Sequence, residues 1–459
     1  MHEMSDTRLG FSREVFPEAP VRAVDLQYLV NCIQQGECCA VVSPSNTGKS
    51  TLLRSLLTQE VRQGCAREGA APPLMVFVDC LAAGDTAQGF YELVLRRIVE
   101  ELEGSDVSRD TIETLRRLHR EVLRNTSDVA IRSLFASSMR ELGREAGLRL
   151  VLVLDEFDDV FRTLLPWPFR QLRAFHDESG GRLHYVVATS RHLERLRSDE
   201  ETREFRELFH PYTRLLCPLC EKDARRFIAY LGETRGMVLD EERASLAMDL
   251  SGGHPGLLTH ICRILSTWQV EPLPQRQTIV AELSRDQVIQ KECRQLWAEL
   301  EEEEREGLLA LVGRGEVALS AEHRRALRAK GLIMRREDGS LGVFGSIFEA
   351  FVKDELATRQ RAAAKGFHCD LETGRIWMDG REVTWQLSEL QRKLVLLLYR
   401  KGGQLCTYDG IAGEVYGLGE GVSPAAIREL VARIGKKIPG SKRYILIVPG
   451  EGYRLETPE

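Results

Sequence analysis

The stretch CCAVVSPSNTGKSTLL, residues 38–53, determines the fold of the first half of the chain. Its apolar start predicts a buried strand, after which Gly48, Lys49 and Ser50 follow the pattern G-x-x-x-x-G-K-[ST] at the start of a helix. Such a loop binds phosphate through backbone N–H groups and the lysine. Ser43 stands where the pattern has its first glycine. Because serine tolerates most turn conformations, we expect a less adaptable loop that still binds nucleotide.

The residues expected to bind ATP or ADP lie between the strand and the first turn of the helix. They are Asn46, Thr47, Gly48, Lys49, Ser50 and Thr51. The hydroxyl of Ser50 is also expected to bind Mg²⁺. A Gly-Lys-Ser sequence can be a simple helix start, but that alternative does not explain the acidic motif that follows downstream.

That second motif is RLVLVLDE, residues 149–156, an apolar run that ends in two acids. Ligands of parallel sheets bind at the carboxyl ends of the strands, so Asp155 is expected to hold the Mg²⁺ shell. Glu156 is expected to orient and polarise the attacking water. Two acids after a strand often cap a helix, but here the strand is paired with a phosphate loop. Asp158 and Asp159 are additional acids, and one of them could share the metal or water role.

A third strand, in LHYVVATSR, ends next to Arg191, which could stabilise charge on the terminal phosphate. A surface arginine is the alternative, and the many arginines of residues 191–207 leave the identity of any arginine finger open.

Apolar runs at 38–42, 74–80, 149–156 and 183–190 alternate with helical patterns, which predicts an α/β fold with a parallel sheet buried on both faces. The predicted fold class is a P-loop NTPase parallel sheet with a helical lid, followed by two winged-helix (α+β) domains. The predicted units are an N-terminal segment (1–20), an ATPase core (21–216), a helical lid (217–285), a first winged helix (286–356), a linker (357–365) and a C-terminal winged helix (366–459).

Composition is that of a globular protein: 459 residues, 29% charged, with a net charge of −6. That charge argues against a chain that coats nucleic acid or an anionic membrane with its whole surface. No apolar run approaches the roughly 20 residues of a membrane span, and the start shows no signal-peptide core, so we expect a cytoplasmic protein without a membrane partner.

Cys217 and Cys220 are interpreted as a buried strand end and helix start rather than a zinc site. The acidic run ELEEEEREG, 299–307, is interpreted as a solvated helix face, and 270–278 as a polar connector.

Taken together, the phosphate loop, LVLVLDE, VVATSR and GGHP resemble the STAND-type signal-transduction ATPases, which are related to the AAA+ proteins. The resemblance covers about residues 20–285. The family's G-x-P motif matches Gly253, His254 and Pro255, which implies that His254 or Pro255 packs against the nucleotide. Arg191 matches the family's strand-end sensor of the γ-phosphate. The resemblance further implies a switch that is closed with ADP, opens and often oligomerises with ATP, and resets by slow hydrolysis.

Residues 366–456 resemble the winged-helix output domain of OmpR-type response regulators, including the ending Gly-x-Gly-Tyr-Arg at 450–454. The family's DNA-binding positions match Arg428, Arg433, Lys436, Lys437 and Arg454. Residues 366–459 hold thirteen Lys and Arg against twelve Asp and Glu, so we expect weak binding by a monomer, which oligomerisation could strengthen. The alternative is a winged helix used for docking another protein.

These patterns predict an ATP-binding, slowly hydrolysing switch of a prokaryote, which couples nucleotide state to homo-oligomerisation and DNA binding in signalling or transcriptional regulation. Two alternatives stay open. One is an interaction scaffold with a structural nucleotide, whose winged helices dock an unknown protein partner. The other is an ATPase that loads or remodels DNA.

Overall fold

The computed structural model describes residues 21–105, 107–143, 148–268, 272–336, 338–362, 366–371, 373–417 and 422–456. The N-terminal segment predicted over 1–20 and the last three residues of the predicted linker lie outside this part of the chain. The chain divides into two compact units, Met1–Ala350 and Phe351–Glu459.

A five-stranded parallel sheet organises the first unit. Its strands are β1 (Cys39–Val42), β2 (Leu74–Asp79), β3 (Leu150–Asp155), β4 (Leu183–Thr189) and β5 (Thr213–Leu215). Their order is β2-β3-β4-β1-β5, and every neighbouring pair is parallel. All residues of β1, β3 and β4 are buried, which is why these strands appear in the sequence as continuous apolar runs.

Helices cover both faces of this sheet. They are α1 (Ala23–Gln35), α2 (Lys49–Ser55), α3 (Gln59–Gly64), α4 (Ala87–Leu102), α5 (Arg109–Arg124), α6 (Asp128–Leu142), α7 (Asp158–Thr163), α8 (Trp167–Glu178), α9 (Leu193–Leu196) and α10 (Arg203–Glu207). Alternate residues of β3 enter different cores, because successive strand side chains point to opposite faces. Leu152 and Leu154 join the aromatic core around α4, whereas Val151 and Val153 join the core around α1.

Helices dominate the rest of this unit. They are α11 (Glu221–Arg235), α12 (Glu241–Ser251), α13 (Pro255–Leu265), α14 (Arg276–Leu283), α15 (Gln287–Glu299), α16 (Glu302–Arg314) and α17 (Ala321–Ala329), followed by β6 (Ile333–Arg335), β7 (Leu341–Val343) and the first residues of α18 (Ser346–Ala362), which crosses the boundary between the units. The connector predicted over 270–278 is therefore helical from Arg276 onward. Residues 357–362 of the predicted linker are helical as well.

The acidic run 299–307 departs from the interpretation as one solvated helix face. The chain is extended at the buried Leu300, and Glu301 starts α16 with a capping box closed by Glu304. Glu304 is 4% exposed, and its carboxylate lies 2.7 Å from Nζ of Lys330. Glu303 is exposed as predicted. Long-range partners therefore divide the run into buried and solvated acids.

The Cys217–Cys220 segment is also less buried than predicted. Strand β5 ends at Leu215, Cys217 is half-buried, and Cys220 is exposed just before α11 begins. β5 is an edge strand of three half-buried residues, and in the segment that follows it Leu216 and Leu219 are buried instead of the two cysteines.

The second unit is built from short antiparallel strands and three helices after α18. Its elements are β8 (Phe367–Cys369), β9 (Ile376–Met378), β10 (Arg381–Glu382), α19 (Glu389–Arg400), β11 (Cys406–Thr407), α20 (Tyr408–Tyr416), α21 (Pro424–Lys437), β12 (Ile445–Val448) and β13 (Gly452–Leu455). The sheets are ordered β10-β9-β8 and β11-β13-β12. The turn between β9 and β10 has left-handed φ values of 48° at Asp379 and 79° at Gly380.

The predicted fold class is confirmed: a P-loop-type parallel sheet is followed by helices and by small α+β units of winged-helix character. Every helix in the described ranges falls short of the length and apolar character that crossing a membrane requires.

Candidate nucleotide-binding site

The loop 43–48 connects β1 to α2 at the carboxyl edge of the sheet. Gly48 has a φ of 92° and Asn46 a φ of 59°, so both take the left-handed conformation that suits glycine and asparagine. Lys49 is 4% exposed, and its Nζ donates hydrogen bonds to the carbonyl oxygens of Ser43 at 2.7 Å and Pro44 at 3.1 Å. The loop therefore wraps around a buried ammonium group, as a phosphate-binding loop requires.

Ser43 contributes to the loop through its side chain. Its hydroxyl is hydrogen-bonded to the hydroxyl of Thr47, which donates to the carbonyl oxygen of Pro44 at 2.7 Å. Glycine could not make this link. The hydroxyl of Thr47, predicted to contact nucleotide, is thus used within the loop, whereas Thr51 is exposed on α2.

Two acids face this loop from the end of β3. Asp155 is 2% exposed; burial raises its pKa, while a hydrogen bond from Ser50 and the charge of Lys49 oppose that shift. Burial also raises the pKa of Glu156, and Lys49 again opposes it. Glu156 has a φ of 50°, a conformation that non-glycine residues seldom adopt. The structure thus brings together Lys49, Ser50, Asp155 and Glu156, as predicted from the sequence.

The two additional acids have other partners. Asp158 accepts hydrogen bonds from the backbone N–H of Ser190 at 3.0 Å and from its hydroxyl at 2.5 Å, which joins the ends of β3 and β4. Asp159 is exposed and lies 2.9 Å from Arg162. The acid that the sequence interpretation missed is Asp79, which pairs in register with Asp155. Its place at the end of an apolar run was a usable signal.

Arg191 lies beside the same edge, but its guanidinium points to another element. Its Nε donates to the carbonyl oxygen of Glu299 at 3.1 Å and its Nη2 to that of Ala298 at 3.0 Å. Its Nε also lies 3.7 Å from a carboxylate oxygen of Glu301. The predicted phosphate sensor therefore binds the end of α15 in this structure.

The lid meets the loop at the start of α13. Pro255 is the first residue of α13, and the N–H of Gly256 donates to the carbonyl oxygen of Asn46 at 3.1 Å. A Cβ on Gly256 would lie 2.0 Å from a carboxylate oxygen of Glu292, so a larger residue there would require the Glu292 side chain to move. His254 caps α13 by accepting from the N–H of Leu257 at 3.4 Å.

The ring of His254 is buried and neutral. Burial lowers its pKa to about 3, and the charges of Arg22 and Lys49 act in the same direction. Because Nδ1 accepts a hydrogen bond, the proton is on Nε2. That buried N–H has no hydrogen-bond partner among the described residues. An unpaired donor at this place fits a nucleotide contact.

Four residues that the sequence interpretation did not select complete the site, namely Ser45, Glu299, Glu292 and Arg22. Ser45 donates from its N–H and its hydroxyl to the carboxylate of Glu299, at 2.5 and 2.6 Å. The Asn46 amide donates to Glu292 at 2.9 Å. Arg22 donates to the carbonyl oxygens of Thr47 and Cys217, each at 2.8 Å. No local sequence signal marks these partners, because they lie far from the loop in the chain.

The donor set suits Mg²⁺ and phosphate. Hydroxyl and carboxylate oxygens are the ligands that Mg²⁺ prefers, and Ser50 and Asp155 present one of each. Lys49 and the loop N–H groups supply the positive field for phosphate. The residues present therefore fit a Mg²⁺-nucleotide, although their individual roles stay predictions.

The predicted DNA-contacting residues lie together in the second unit. Arg428, Arg433, Lys436 and Lys437 are exposed on α21, and Arg454 is exposed on β13. Local contacts engage three of them: Arg433 pairs with Glu429, Lys437 donates to Gln391 at 3.1 Å, and Arg428 donates to the Tyr408 hydroxyl at 3.4 Å.

A different group of metal-ligand types lies at the opposite edge of the parallel sheet. The ligand atoms of Cys38, His176 and His184 are within 4.8 Å of one another. His176 Nδ1 is 2.8 Å from the carbonyl oxygen of Leu183. Burial lowers the pKa of His184 to about 4, and the charges of the neighbouring Arg67 and Arg149 lower it further. The same positive charges disfavour a bound metal cation.

Comparison with known proteins gives one family match. Residues 33–196 match the family described as "AAA domain". A search of the curated proteins gave no match.

Solved structures with some similarity include the Walker-type ATPase PABY2304 of Pyrococcus abyssi, at 15% identity and a TM-score of 0.45, covering 74% of this chain and 99% of that one. Others are Cdc6p of Pyrobaculum aerophilum, at 16% identity, a TM-score of 0.34 and 75% and 97% coverage, and the Aeropyrum pernix Orc1 protein in complex with DNA, at 16% identity, a TM-score of 0.36 and 75% and 97% coverage. At these scores the similarities carry no argument about activity.

The match includes the phosphate loop, the acids at the end of β3 and Arg191. With the parallel sheet and the buried lysine of that loop, it indicates a P-loop ATPase fold of the AAA type over residues 33–196.

Proposed function

We propose that the chain is a STAND-type switch that binds ATP, hydrolyses it slowly and couples the nucleotide state to oligomerisation and DNA binding. One observation supports this proposal: loop 43–48 is bonded both to α13, in the predicted lid, and to α15, in the predicted first winged helix. Asn46 accepts from Gly256 of α13 and donates to Glu292 of α15, while Ser45 donates to Glu299.

Through these contacts, nucleotide binding at loop 43–48 can change the positions of α13 and α15. A ligand shifts a conformational equilibrium only by its differential affinity for the two states. Here the N–H of Ser45, a group that would bind phosphate, already donates to Glu299 of α15, so a nucleotide that needs this donor favours an arrangement without that contact. The contact with α13 uses the carbonyl oxygen of the next loop residue, Asn46, and therefore responds only if the loop backbone moves. The predicted winged helix of residues 286–356, which includes α15, is thereby linked to the chemistry of the loop.

The site also contains the groups that hydrolysis needs. Lys49 is placed to bind phosphate, Ser50 and Asp155 would hold Mg²⁺, and Glu156 would polarise water. A bound Mg²⁺ would neutralise phosphate charge during transfer. The left-handed backbone of Glu156 distinguishes it from the structural acids Asp158 and Asp159, which are bonded to Ser190 and Arg162.

The switch predicts a mass that depends on nucleotide. We expect the full chain with Mg²⁺ and a non-hydrolysable ATP analogue to reach about twice its ADP mass or more in light scattering. The ADP form should stay smaller at the same protein concentration. Equal masses, together with ADP that persists through purification, would favour the scaffold alternative instead.

The DNA arm of the proposal is supported by the exposed basic face of α21. We expect the double variant Lys436→Gln, Lys437→Gln to bind duplex DNA more weakly in the presence of the ATP analogue. Its plot of log affinity against log salt should be less steep by about two units, since each lost phosphate contact removes about 0.9.

The measurement is fluorescence anisotropy at several salt concentrations. The matched control is Arg392→Gln, Lys393→Gln, which removes the same charge from the exposed part of α19 in the same unit. An equal loss of DNA affinity in both double variants would show that DNA is attracted by the overall charge of the unit and not by α21. Native affinity that does not respond to salt would remove the DNA arm.

The DNA-loading alternative shares the same fold elements. It differs because it requires ATP hydrolysis for the opening of the DNA strands or for loading onto DNA. It would be favoured if strand opening or loading needed hydrolysable ATP, while the analogue promoted neither assembly nor DNA binding.

A further inference from the structure

We propose that the carboxylate of Glu299 occupies the place of a terminal phosphate on the loop, which makes Glu299 the residue that lets this site discriminate between ADP and ATP. The inference rests on the proposed nucleotide switch and names the contact through which the third phosphate would be sensed.

The first argument is the chemistry of the contact. The two oxygens of Glu299 accept from the N–H of Ser45 at 2.5 Å and from its hydroxyl at 2.6 Å. A backbone N–H in a loop of this type binds phosphate oxygens. A carboxylate is an anion with the same demand for donors, so it serves as a substitute for phosphate at Ser45.

The second argument is position. Arg191, the predicted sensor of the γ-phosphate, donates to the main-chain carbonyl of Glu299 itself at 3.1 Å. Lys49, which in such loops reaches the β- and γ-phosphates, is close enough for the charge of Glu299 to act on it: burial lowers the pKa of Lys49, and Glu299 opposes that shift after Glu156. One cationic group expected at the terminal phosphate thus contacts Glu299, and the other lies within reach of its charge.

The third argument is that α15 holds the carboxylate in place. Glu292 lies seven residues earlier, on the same face of the helix, and accepts from Asn46 at 2.9 Å. Leu296 and Leu300 are buried on either side of the last turn. The helix therefore presents two carboxylates to neighbouring loop residues, and Glu299 is part of a packed element rather than a loose surface chain.

The consequence is different for the two nucleotides. The terminal phosphate of ATP requires the donors of Ser45 and brings negative charge next to Glu299, so ATP must displace the carboxylate and with it the end of α15. ADP has no terminal phosphate and leaves this contact intact. Binding of ATP, but not of ADP, therefore destabilises the contact between Glu299 and Ser45.

The test compares the affinities of the full chain for ADP and for a non-hydrolysable ATP analogue, by calorimetry with Mg²⁺. In Glu299→Gln we expect the ATP analogue to bind about tenfold more tightly, a typical size for a coupling between sites, with ADP affinity unchanged. The matched control is Glu303→Gln, which removes the same charge from an exposed acid of the same run and should leave both affinities unchanged.

Equal strengthening for both nucleotides in Glu299→Gln, or the same shift in Glu303→Gln, would overturn the inference by showing a general charge effect. An unchanged ratio of affinities in Glu299→Gln would also overturn it. The proposed switch fails separately, if the native chain shows no difference in mass between ADP and the analogue. If the native chain changes mass with the nucleotide, but Glu299→Gln leaves the ratio of the two affinities unchanged, the proposed switch stands and only the role of Glu299 is rejected.

Discussion

The Glu156→Gln variant is expected to hydrolyse ATP about 10²–10⁴ times more slowly than the native chain, the usual range for loss of a general base. Glutamine keeps the size of the side chain and its hydrogen-bonding capacity, but it cannot accept a proton from water. Because Lys49, Ser50 and Asp155 are unchanged, nucleotide binding should persist and the ATP-bound form should accumulate. A phosphate-release assay and an ATP-binding titration measure the two properties.

The pH dependence gives this prediction a second readout. Burial raises the pKa of Glu156 in the free protein, with Asp155 and Asp158 contributing and Lys49 opposing. A base acts only when deprotonated, so kcat/KM should fall on the acid side as pH drops through this raised pKa. That limb should lie above the range of an ordinary exposed glutamate. It should be lost in the glutamine variant.

The control for Glu156→Gln is Asp159→Asn, an exposed acid three residues away that pairs with Arg162. It should retain native turnover. If Glu156→Gln also retained native turnover, the assignment of the base would be wrong. Asp79, which lies opposite Asp155 on β2, would then be the next acid to test.

The Lys49→Ala variant is expected to lose affinity for both ATP and ADP by about 30-fold or more. Truncating one partner of a buried, hydrogen-bonded charge pair costs about 2–5 kcal/mol, and every 1.4 kcal/mol is about tenfold. In this variant the carbonyl oxygens of Ser43 and Pro44 lose their donor. Asp155 and Glu156 would then repel phosphate without a nearby compensating cation.

Equilibrium binding of a fluorescent ADP and ATP analogue measures this loss. The matched control is Arg54→Ala, which removes a positive charge from the exposed face of the same helix, α2. It should bind both nucleotides with nearly native affinity. Native binding by Lys49→Ala, with an unchanged thermal unfolding temperature, would show that loop 43–48 is not the phosphate site.

Much of the ATPase core could be predicted because its signals are local. Strands buried on both faces are largely apolar, so β1, β3 and β4 were visible as continuous runs, and the partly buried β2 was visible in the same way. The loop needs a lysine and a hydroxyl at fixed spacing, and the acids must follow a strand. The edge strand β5 was predicted only through its end, near Cys217, because its three half-buried residues leave no apolar run.

The acids of the 299–307 run show where such signals end. Glu299 and Glu303 are chemically identical and four residues apart, yet one binds the phosphate loop and the other is exposed. The difference is set by Ser45, which lies 254 residues from Glu299 in the chain. Hydrophobic periodicity describes which side of an element is buried, but it does not specify which distant donor a buried carboxylate meets.

The sequence by itself determined the parallel sheet, the phosphate loop and the acids that face it, because each depends on residues close together in the chain. Only the tertiary structure decided that Arg191 binds the end of α15, and that Glu292 and Glu299 close over the loop. The physical reason is that hydrogen bonds and ion pairs act over a few ångströms in space. Their partners are known only when packing has brought distant segments together.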